Sequence, residues 1–338
     1  MKHLFFAATA ALALLCSCSK DNDEIVNSTK GSVVNVSFTE DAPETRAFFG
    51  TTAAAEPWEK TLSSVTMFAF NTSGTLILQR SFSPAELTAK KASFALPNVT
   101  AGSSCDFYAV ANFPTTNIAN KAALLAVLES SAAAYNGTFA EVSAGAKHSG
   151  GFVMSGSTSQ AVATEGSATN VAITLKRTVA KVAMETTVSP DFGTTYPGAV
   201  RVNSVTINGA ASQSFIIKPT TANTGAMNFN KMQASNMVAG KFQNLFYLFE
   251  NGSLAAGSRV AATINATYDS DGDFTSSVGQ TDMAYKVELS GDAAGAISRN
   301  GYYRVAVSIN GLSGSSATLT ITVADWEAPI TQTVNVGS

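Results

Sequence analysis

Few side chains of this chain could catalyse a reaction. It has two histidines, His3 and His148, and three cysteines among 338 residues. Because His3 lies in a segment that we expect to be removed on export, a Ser-His-Asp triad or a zinc site would need His148. His148 stands in a polar, glycine-containing stretch, which predicts an exposed loop residue. We therefore predict a protein that is not an enzyme, with no catalytic residue and no cofactor.

One acidic stretch has the composition of a calcium-binding loop. Aspartates stand at positions 269, 271 and 273. Gly272 is the fourth residue of this stretch, where a calcium loop has its glycine sixth, and Gln280 occupies the place of the closing glutamate. The favoured interpretation is a polar hairpin turn, and no metal site is predicted.

The N-terminus has the pattern of a bacterial lipoprotein signal. An apolar run over residues 4–15 follows a short polar start, and small Ser17 precedes Cys18. The run, about a dozen residues, is too short to cross a bilayer core of roughly 30 Å. Cys18 is the predicted lipid-bearing (palmitate) residue, because bulky Leu15 precedes Cys16. Residues 1–18 are then a signal peptide that leads to the outer membrane; an ordinary secretory signal is the alternative.

Composition excludes some partners and some sources of stability. The formal net charge is −3, and the sequence has no basic block, so nucleic acid is not expected as a partner. With Cys16 removed and Cys18 lipidated, Cys105 is the remaining thiol and no internal disulfide can form. The core must supply the stability.

Short runs that alternate apolar and polar residues, separated by turn residues, predict antiparallel strands. We expect an all-β fold of two β-sandwich domains, with one or two short helices in the first. Residues 62–70 and 75–82 predict a hairpin, and Asn120 predicts the start of a helix through about Ala134. Two successive apolar registers over residues 171–188 predict the boundary between the domains, which gives the ranges 47–175 and 176–338.

A strand is also predicted before the first domain, over residues 32–39. Val34, Val36 and Phe38 share one face of it, which predicts a buried side. A polar linker follows, in which Arg46 offers a trypsin-like protease a bond before Ala47. Cleavage there would detach residues 19–46, a tether and pro-segment, together with this strand.

The C-terminal residues 329–338 carry a similar pattern. Ile330, Val334 and Val336 share one face, and Val334-Asn335-Val336 repeats the triplet at residues 34–36. One interpretation is a strand that closes its own domain.

The other interpretation is a donor strand that fills the groove vacated by the N-terminal strand of another subunit. Burying three apolar side chains is worth about 5 to 9 kcal/mol, so an emptied groove would be driven to refill. Such strand addition is head-to-tail and open, which produces a polymer.

Several motifs, in this order, are similar to those of one known family. They are the lipoprotein signal, Thr45-Arg46-Ala47, Pro57-Trp58-Glu59-Lys60, residues 107–112, Val153-Met154-Ser155-Gly156, residues 175–182, residues 245–251, residues 298–303 and Asp325-Trp326. Through them the chain resembles the FimA-type fimbrillins of Bacteroidales, the subunits of type V pili.

The resemblance implies two transthyretin-like β-sandwiches, export as an outer-membrane lipoprotein and removal of the pro-segment by an arginine-specific surface protease. It also implies head-to-tail polymerisation with other pilin subunits by strand exchange. Arg46 followed by Ala47 favours a stalk or tip subunit of a cell-surface fimbria. A receptor on a host or bacterial surface is left open.

The alternative function is a membrane-anchored, monomeric adhesin or glycan-binding lipoprotein. Such a protein would expose aromatic side chains on a concave face, whereas the aromatics here fall in apolar strand runs. Core packing is the expected role of Trp58, Phe107, Tyr247, Phe249 and Trp326. We expect Arg177, Lys181 and Arg299 to satisfy buried carbonyls or carboxylates.

Overall fold

The structure, a computed structural model, describes residues 31–40, 49, 55–114, 117–130, 132–145, 147, 150–164, 167–220, 222, 226–237, 240–289, 291, 294–313, 324–325 and 330–336. The strands are β1 (Gly31–Glu40), β2 (Val65–Asn71), β3 (Leu76–Ser81), β4 (Lys91–Pro97), β5 (Ser104–Ala111), β6 (Leu128–Glu129), β7 (Met154–Ala161), β8 (Ala168–Arg177), β9 (Val179–Val188), β10 (Ala199–Ala210), β11 (Ser214–Phe215), β12 (Phe229–Met237), β13 (Lys241–Phe249), β14 (Ala261–Asp269), β15 (Gln280–Glu288), β16 (Gly301–Ile309), β17 (Ala324–Asp325) and β18 (Ile330–Val336). The helices are the 3-10 helix η1 (Pro57–Lys60) and the α-helices α1 (Pro84–Ala89), α2 (Lys121–Leu125), α3 (Ala132–Tyr135), α4 (Phe139–Ser143) and α5 (Phe192–Thr195). Within these ranges no helix is long and apolar enough to span a membrane.

The first half of the chain forms a sandwich from one folded-over sheet. Its strand order is β3-β2-β5-β7-β8-β1-β4. β7 and β8 pair only over Met154↔Arg177 and Ser155↔Lys176, so the sheet turns a corner there. Apolar side chains of β2 and β5 on one side and of β1, β4 and β8 on the other share one core cluster.

The predicted hairpin of the first domain is present as β2 and β3. Asn71 accepts hydrogen bonds through its side-chain oxygen from the amides of Ser73 (3.1 Å) and Thr75 (2.9 Å). Gly74 adopts a φ of +80°, which an L side chain rarely does. The local turn chemistry explains why the sequence predicts this element.

The second half forms a sandwich of two sheets. One has the order β12-β10-β14-β15, and the other has the order β13-β9-β16-β17, with β18 also paired to β16. A second core cluster lies between them, built from side chains such as Val182, Met184, Val205, Ile264 and Val305. The predicted fold class, all-β with two sandwiches, is confirmed. Parallel pairs occur within it, namely β1 with β8, β9 with β16 and β16 with β18.

The chain passes from the first sheet to the second between β8 and β9. Val171, Ile173 and Leu175 face the first cluster, whereas Val182 and Met184 face the second. The first cluster also contains Tyr247 and Phe249 from β13. Because one core draws on both halves, the boundary at residues 175/176 stays a prediction.

The predicted helix from Asn120 to about Ala134 is wrong in its extent. Asn120 caps α2 as predicted, accepting from the Ala123 amide at 2.9 Å, but α2 ends at Leu125. Leu128 and Glu129 then form β6 and pair with β11, which lies some way along the chain. Here a long-range pairing outweighs the local helical period. In the described residues the first half contains four short α-helices, where one or two are predicted.

Candidate functional site

β1 lies inside the first sheet, between two other strands. It runs parallel to β8, with Val34 opposite Thr169 and Val36 opposite Val171. It runs antiparallel to β4, with Val36 opposite Ala92. β1 is therefore held by ladders of backbone hydrogen bonds on both sides.

The inward face of β1 completes the first core. Val34, Val36 and Phe38 are 0%, 1% and 4% exposed. The ring of Phe38 lies 4.8 Å from that of Phe82, at a tilt of 44°. The residues predicted as the buried side of a removable strand are buried; that the strand is removable stays a prediction.

The outward face of β1 carries a polar bridge over three strands. The Ser93 hydroxyl of β4 donates to the side-chain oxygen of Asn35 at 2.7 Å. The Asn35 amide group donates in turn to the side-chain oxygen of Asn170 on β8 at 3.2 Å. Thr39 and Thr174 make a similar contact at 3.3 Å.

Two predicted processing sites lie outside the described residues. These are the lipidation site Cys18 and the cleavage site Arg46-Ala47. The chain is described again at Phe49, whose ring lies 6.2 Å from that of Phe139.

The C-terminal strand β18 lies at the edge of the second sandwich, in its own chain. It runs parallel to β16, with Ile330 opposite Tyr303 and Val334 opposite Val307. β17 continues along the same edge of β16. This is the place expected of a closing strand, and its transfer to another subunit stays a prediction.

A polar cluster is buried between the two halves, and in it Lys181 pairs with a buried carboxylate, as predicted. Glu59 of η1 and Lys181 of β9 form an ion pair of 2.9 Å, with 0% and 1% of their side chains exposed. The Tyr247 hydroxyl of β13 donates to the same carboxylate. Lys181, a charged residue between apolar neighbours in the first half of β9, is the signal in the sequence that points to it.

Burial changes the proton affinity of this cluster. Loss of solvent lowers the pKa of Lys181, and the neighbouring Glu59 opposes that change. Burial, together with the Glu59 charge, raises the pKa of Tyr247 well above its usual value. The cluster brings an acid, an amine and a phenol together, and these groups pair with one another through an ion pair and a hydrogen bond.

The predicted role of the buried cations is confirmed. Arg177 donates through Nε to the Glu59 carbonyl oxygen at 2.9 Å and through Nη1 to Asn300 at 3.0 Å. Arg299 pairs with Glu250 at 2.5 Å and donates to the Phe215 carbonyl oxygen at 2.7 Å. These arginines link separate parts of the chain through buried hydrogen bonds and an ion pair.

The acidic stretch is a hairpin turn between β14 and β15, as predicted. Asp269 accepts hydrogen bonds from the amides of Asp271 (3.1 Å) and Gly272 (3.3 Å), and Asp271 accepts from the amide of Asp273 (3.1 Å). Carboxylate atoms of the three aspartates lie within 4.8 Å of one another, which is the one grouping in the described ranges close enough for a cation. Their bonds to the turn backbone account for this arrangement.

The predicted core aromatics are packed in the interior where they are described. Phe107, Tyr247 and Phe249 are each 0% exposed, and Trp58 packs 6.1 Å from Tyr247, ring to ring. Trp326 and His148 lie outside the described residues.

Part of the chain, including its first strand, matches a family of known proteins. Residues 32–189 match the family described as Major fimbrial subunit protein (FimA). Over these residues, a little under half of its length, the chain is similar to that fimbrial family. The match begins within β1 and ends just after β9, so it includes the interior strand, both its neighbours and the passage into the second sandwich. The resemblance to FimA-type fimbrillins is confirmed.

Solved structures share this fimbrillin fold. A candidate cell adhesion protein from Parabacteroides distasonis is 14% identical and has a TM-score of 0.59, with 89% of this chain and 98% of that chain covered. A fimbrilin (fimA) from Porphyromonas gingivalis is 14% identical, with a TM-score of 0.54 and coverage of 90% and 98%. The tip fimbrial protein Mfa3 of Porphyromonas gingivalis, with a C-terminal truncation, is 15% identical, with a TM-score of 0.52 and coverage of 87% and 98%. At these identities the likeness concerns the fold alone. No curated protein matches the sequence.

Proposed function

We propose that this chain is a structural subunit, a pilin, of a cell-surface fimbria. It is exported as an outer-membrane lipoprotein through Cys18 and is cut between Arg46 and Ala47 by an arginine-specific surface protease. It then polymerises head-to-tail, as a stalk or tip subunit, by exchange of β1 for the β18 of another copy. The observation that carries the proposal is the interior position of β1, upstream of an arginine in a polar linker.

Cleavage after Arg46 changes how β1 is held. Before it, β1 and the body are one chain, so a strand that leaves its place rebinds at once. After it, β1 is a separate peptide that can diffuse away. Its three apolar side chains contribute about 5 to 9 kcal/mol, and each ladder hydrogen bond adds about 1 kcal/mol, so release alone is unfavourable. A second strand that makes the same contacts offsets this cost.

The vacated place is a strong acceptor for a strand. β8 and β4 would each present a row of unpaired amides and carbonyls, with the first core open between them. An incoming strand satisfies both rows and fills the pockets of Val34 and Val36.

β18 is the strand best suited to leave its place. β16 is its one described neighbour, so it loses a single ladder on release, whereas β1 has two. Val334 and Val336 repeat the spacing of Val34 and Val36, and Ile330 lies on the same face beyond Gln332. The donor and the acceptor lie in different halves of the chain, so each added subunit exposes a new end.

Limited trypsin digestion of the full chain tests this proposal. We expect the product to begin at Ala47 by mass spectrometry and to form ladders on gels and fibres in electron micrographs. A variant lacking residues 329–338 should be cut at the same bond but stay monomeric. The control Arg46→Gln should stay uncut and monomeric.

Two results would oppose the proposal. Assembly of the variant lacking residues 329–338 would show that β18 is not the donor strand. Mature protein on cells that keeps a lipidated Cys18 and stays monomeric would favour the anchored adhesin instead.

A further inference from the structure

The polar bridge on β1 loses its central member when β1 leaves. Ser93 of β4 donates to Asn35, and Asn35 donates to Asn170 of β8, at 2.7 Å and 3.2 Å. Both neighbours then lack that side-chain partner. An incoming strand with an asparagine at the position of Asn35 restores both hydrogen bonds, because an amide side chain can both donate and accept.

The terminal strand can supply such an asparagine in one register. Alignment of Val334-Asn335-Val336 with residues 34–36 places Gln332 at the position of Ser32. Ser32 is 4% exposed, and its hydroxyl donates to the Ala163 carbonyl oxygen at 3.1 Å. The Gln332 amide can donate there as well.

The register that matches the two triplets places Ser338, a small polar residue, at the position of Phe38. A shift by two residues buries a longer polar side chain. A shift that brings Val334 to the place of Val36 moves Gln332 to the place of Val34, which is 0% exposed. A buried amide without a partner is costly. A shift by one residue turns Asn335 itself inward.

The flanking residues also select the direction of the strand. Val-Asn-Val is the same in both directions, so the triplet alone does not decide. In the reverse direction Gln332 would enter the pocket of Phe38, beside the ring of Phe82. In the direction of β1 the incoming strand is parallel to β8, as β18 is parallel to β16 in its own sheet.

Resting on the strand exchange proposed above, we infer that Asn335 sets the register of the polymer. Asn335 of one copy takes the place of Asn35 in the next copy and joins Ser93 to Asn170. The partner is a second copy of this chain, and the residue that determines its register is Asn335.

The geometry of the sheet allows a covalent test of this register. Phe38 donates its amide hydrogen to the Lys90 carbonyl oxygen at 3.0 Å. Because pair types alternate along an antiparallel ladder, Asn35 and Ser93 form a non-hydrogen-bonded pair, with Cα atoms about 4.5 Å apart. A disulfide fits that separation. Asn335→Cys in the donor and Ser93→Cys in the acceptor should therefore react.

The experiment mixes two full-length single variants, Asn335→Cys and Ser93→Cys, before limited trypsin digestion and mild oxidation. Each copy brings one new thiol, so a bond between these two positions joins two subunits. Cys16 and Cys18 leave with the leader, and Cys105 is 1% exposed. Thr333→Cys replaces Asn335→Cys in the matched control, since it lies two residues away on the same face.

We expect the peptide that links positions 335 and 93 to exceed the one that links 333 and 93 by at least about tenfold, because Cα atoms beyond about 7 Å do not form a disulfide. The opposite ratio, or fibres in which neither pair is linked, would overturn the register and leave strand exchange standing. If the cleaved wild-type protein stays monomeric, the exchange itself fails, and the register fails with it.

Discussion

Phe38 shows how one side chain connects the pro-segment to the core. It is 4% exposed and its ring packs on Phe82 at 4.8 Å, although it belongs to the part of the chain that cleavage after Arg46 would remove. Val33, on the opposite face of the same strand, is 44% exposed. Substitutions at these two residues therefore distinguish the effect of side-chain burial on stability from the effect of strand pairing.

Phe38→Ala should destabilise the uncut protein by about 3 to 5 kcal/mol, because it leaves a cavity in the first core. Val33→Ala, the matched control, should change stability by less than about 0.5 kcal/mol. Urea unfolding followed by fluorescence measures both. Equal midpoints for the two variants would contradict the position assigned to β1.

Buried phenols set the behaviour of the protein at high pH. Burial raises the pKa of Tyr302 to about 12, from an ordinary value near 10. Between these values the folded chain keeps the proton and the unfolded chain loses it, so stability falls as pH rises through this window. The raised pKa of Tyr247 also makes stability fall as the pH rises. The pKa of Lys181 is lowered, so this residue makes stability rise with pH. This contribution ends at the ordinary pKa of lysine, near 10.5.

Unfolding free energies measured between pH 10.5 and 12 should therefore decrease steadily. Tyr302→Phe should make the decrease shallower, since that residue no longer releases a proton on unfolding. Tyrosinate absorbance reports the same step. A stability that stays flat over this range in the wild type would exclude buried, protonated phenols.

At the scale of elements, β1 and β18 differ in how many neighbours hold them. β1 pairs with β8 and β4 through the interior of a sheet, whereas the described pairing of β18 is with β16. Edge strands open more easily than interior strands because fewer contacts break.

Hydrogen exchange followed by mass spectrometry should show this difference in the uncut protein, with faster exchange over residues 330–336 than over residues 32–39. In the trypsin-cut variant lacking residues 329–338, the amides of β8 and β4 should lose protection once the leader peptide has been removed. Protection of β8 and β4 that does not change on removal would mean that β1 is not their partner.

Helix α2 shows where the sequence pattern is insufficient for an element. The apolar spacing after Asn120 continues past the end of α2, yet Glu129 lies in strand β6. Glu129 accepts a hydrogen bond from the Thr178 hydroxyl at 2.6 Å in a buried position. A partner almost fifty residues away therefore helps to hold Glu129 in β6, and no local signal carries that information.

At the scale of the whole molecule, buried polar groups connect the two sandwiches. Glu59 comes shortly after the linker, and it pairs with Lys181 of the second sandwich at 2.9 Å. β6 and β11 add a short sheet between the two halves. In the proposed exchange this contact would hold the two sandwiches together without β1, because its members all follow Arg46 in the chain.

Glu59→Gln should destabilise the protein by about 3 to 5 kcal/mol, because Lys181 would then be a buried charge without a counter-ion. The surface pair of Glu141 and Lys147, 3.5 Å apart, supplies the control. Glu141→Gln should change stability far less than Glu59→Gln, because solvent screens an exposed ion pair. Thermal unfolding measures both variants, and a Glu59→Gln effect as small as the control would mean that water reaches the pair.

Features that depend on neighbouring residues could be predicted from the residue pattern alone. Alternation of period two defines the buried face of β1, and the turn residues at 71–74 define the first hairpin, because both are local properties of the backbone. The all-β class and the resemblance to the fimbrillins follow from many such local patterns in order.

Which strands lie side by side could not be predicted, because it depends on the three-dimensional fold. Val36 lies opposite Val171, which is far along the chain, and Glu59 meets Lys181 across two sandwiches. These contacts depend on how the sheets close around their cores, and a residue pattern is the same whichever partner it meets. The interior place of β1 and the buried ion pair therefore came from the fold.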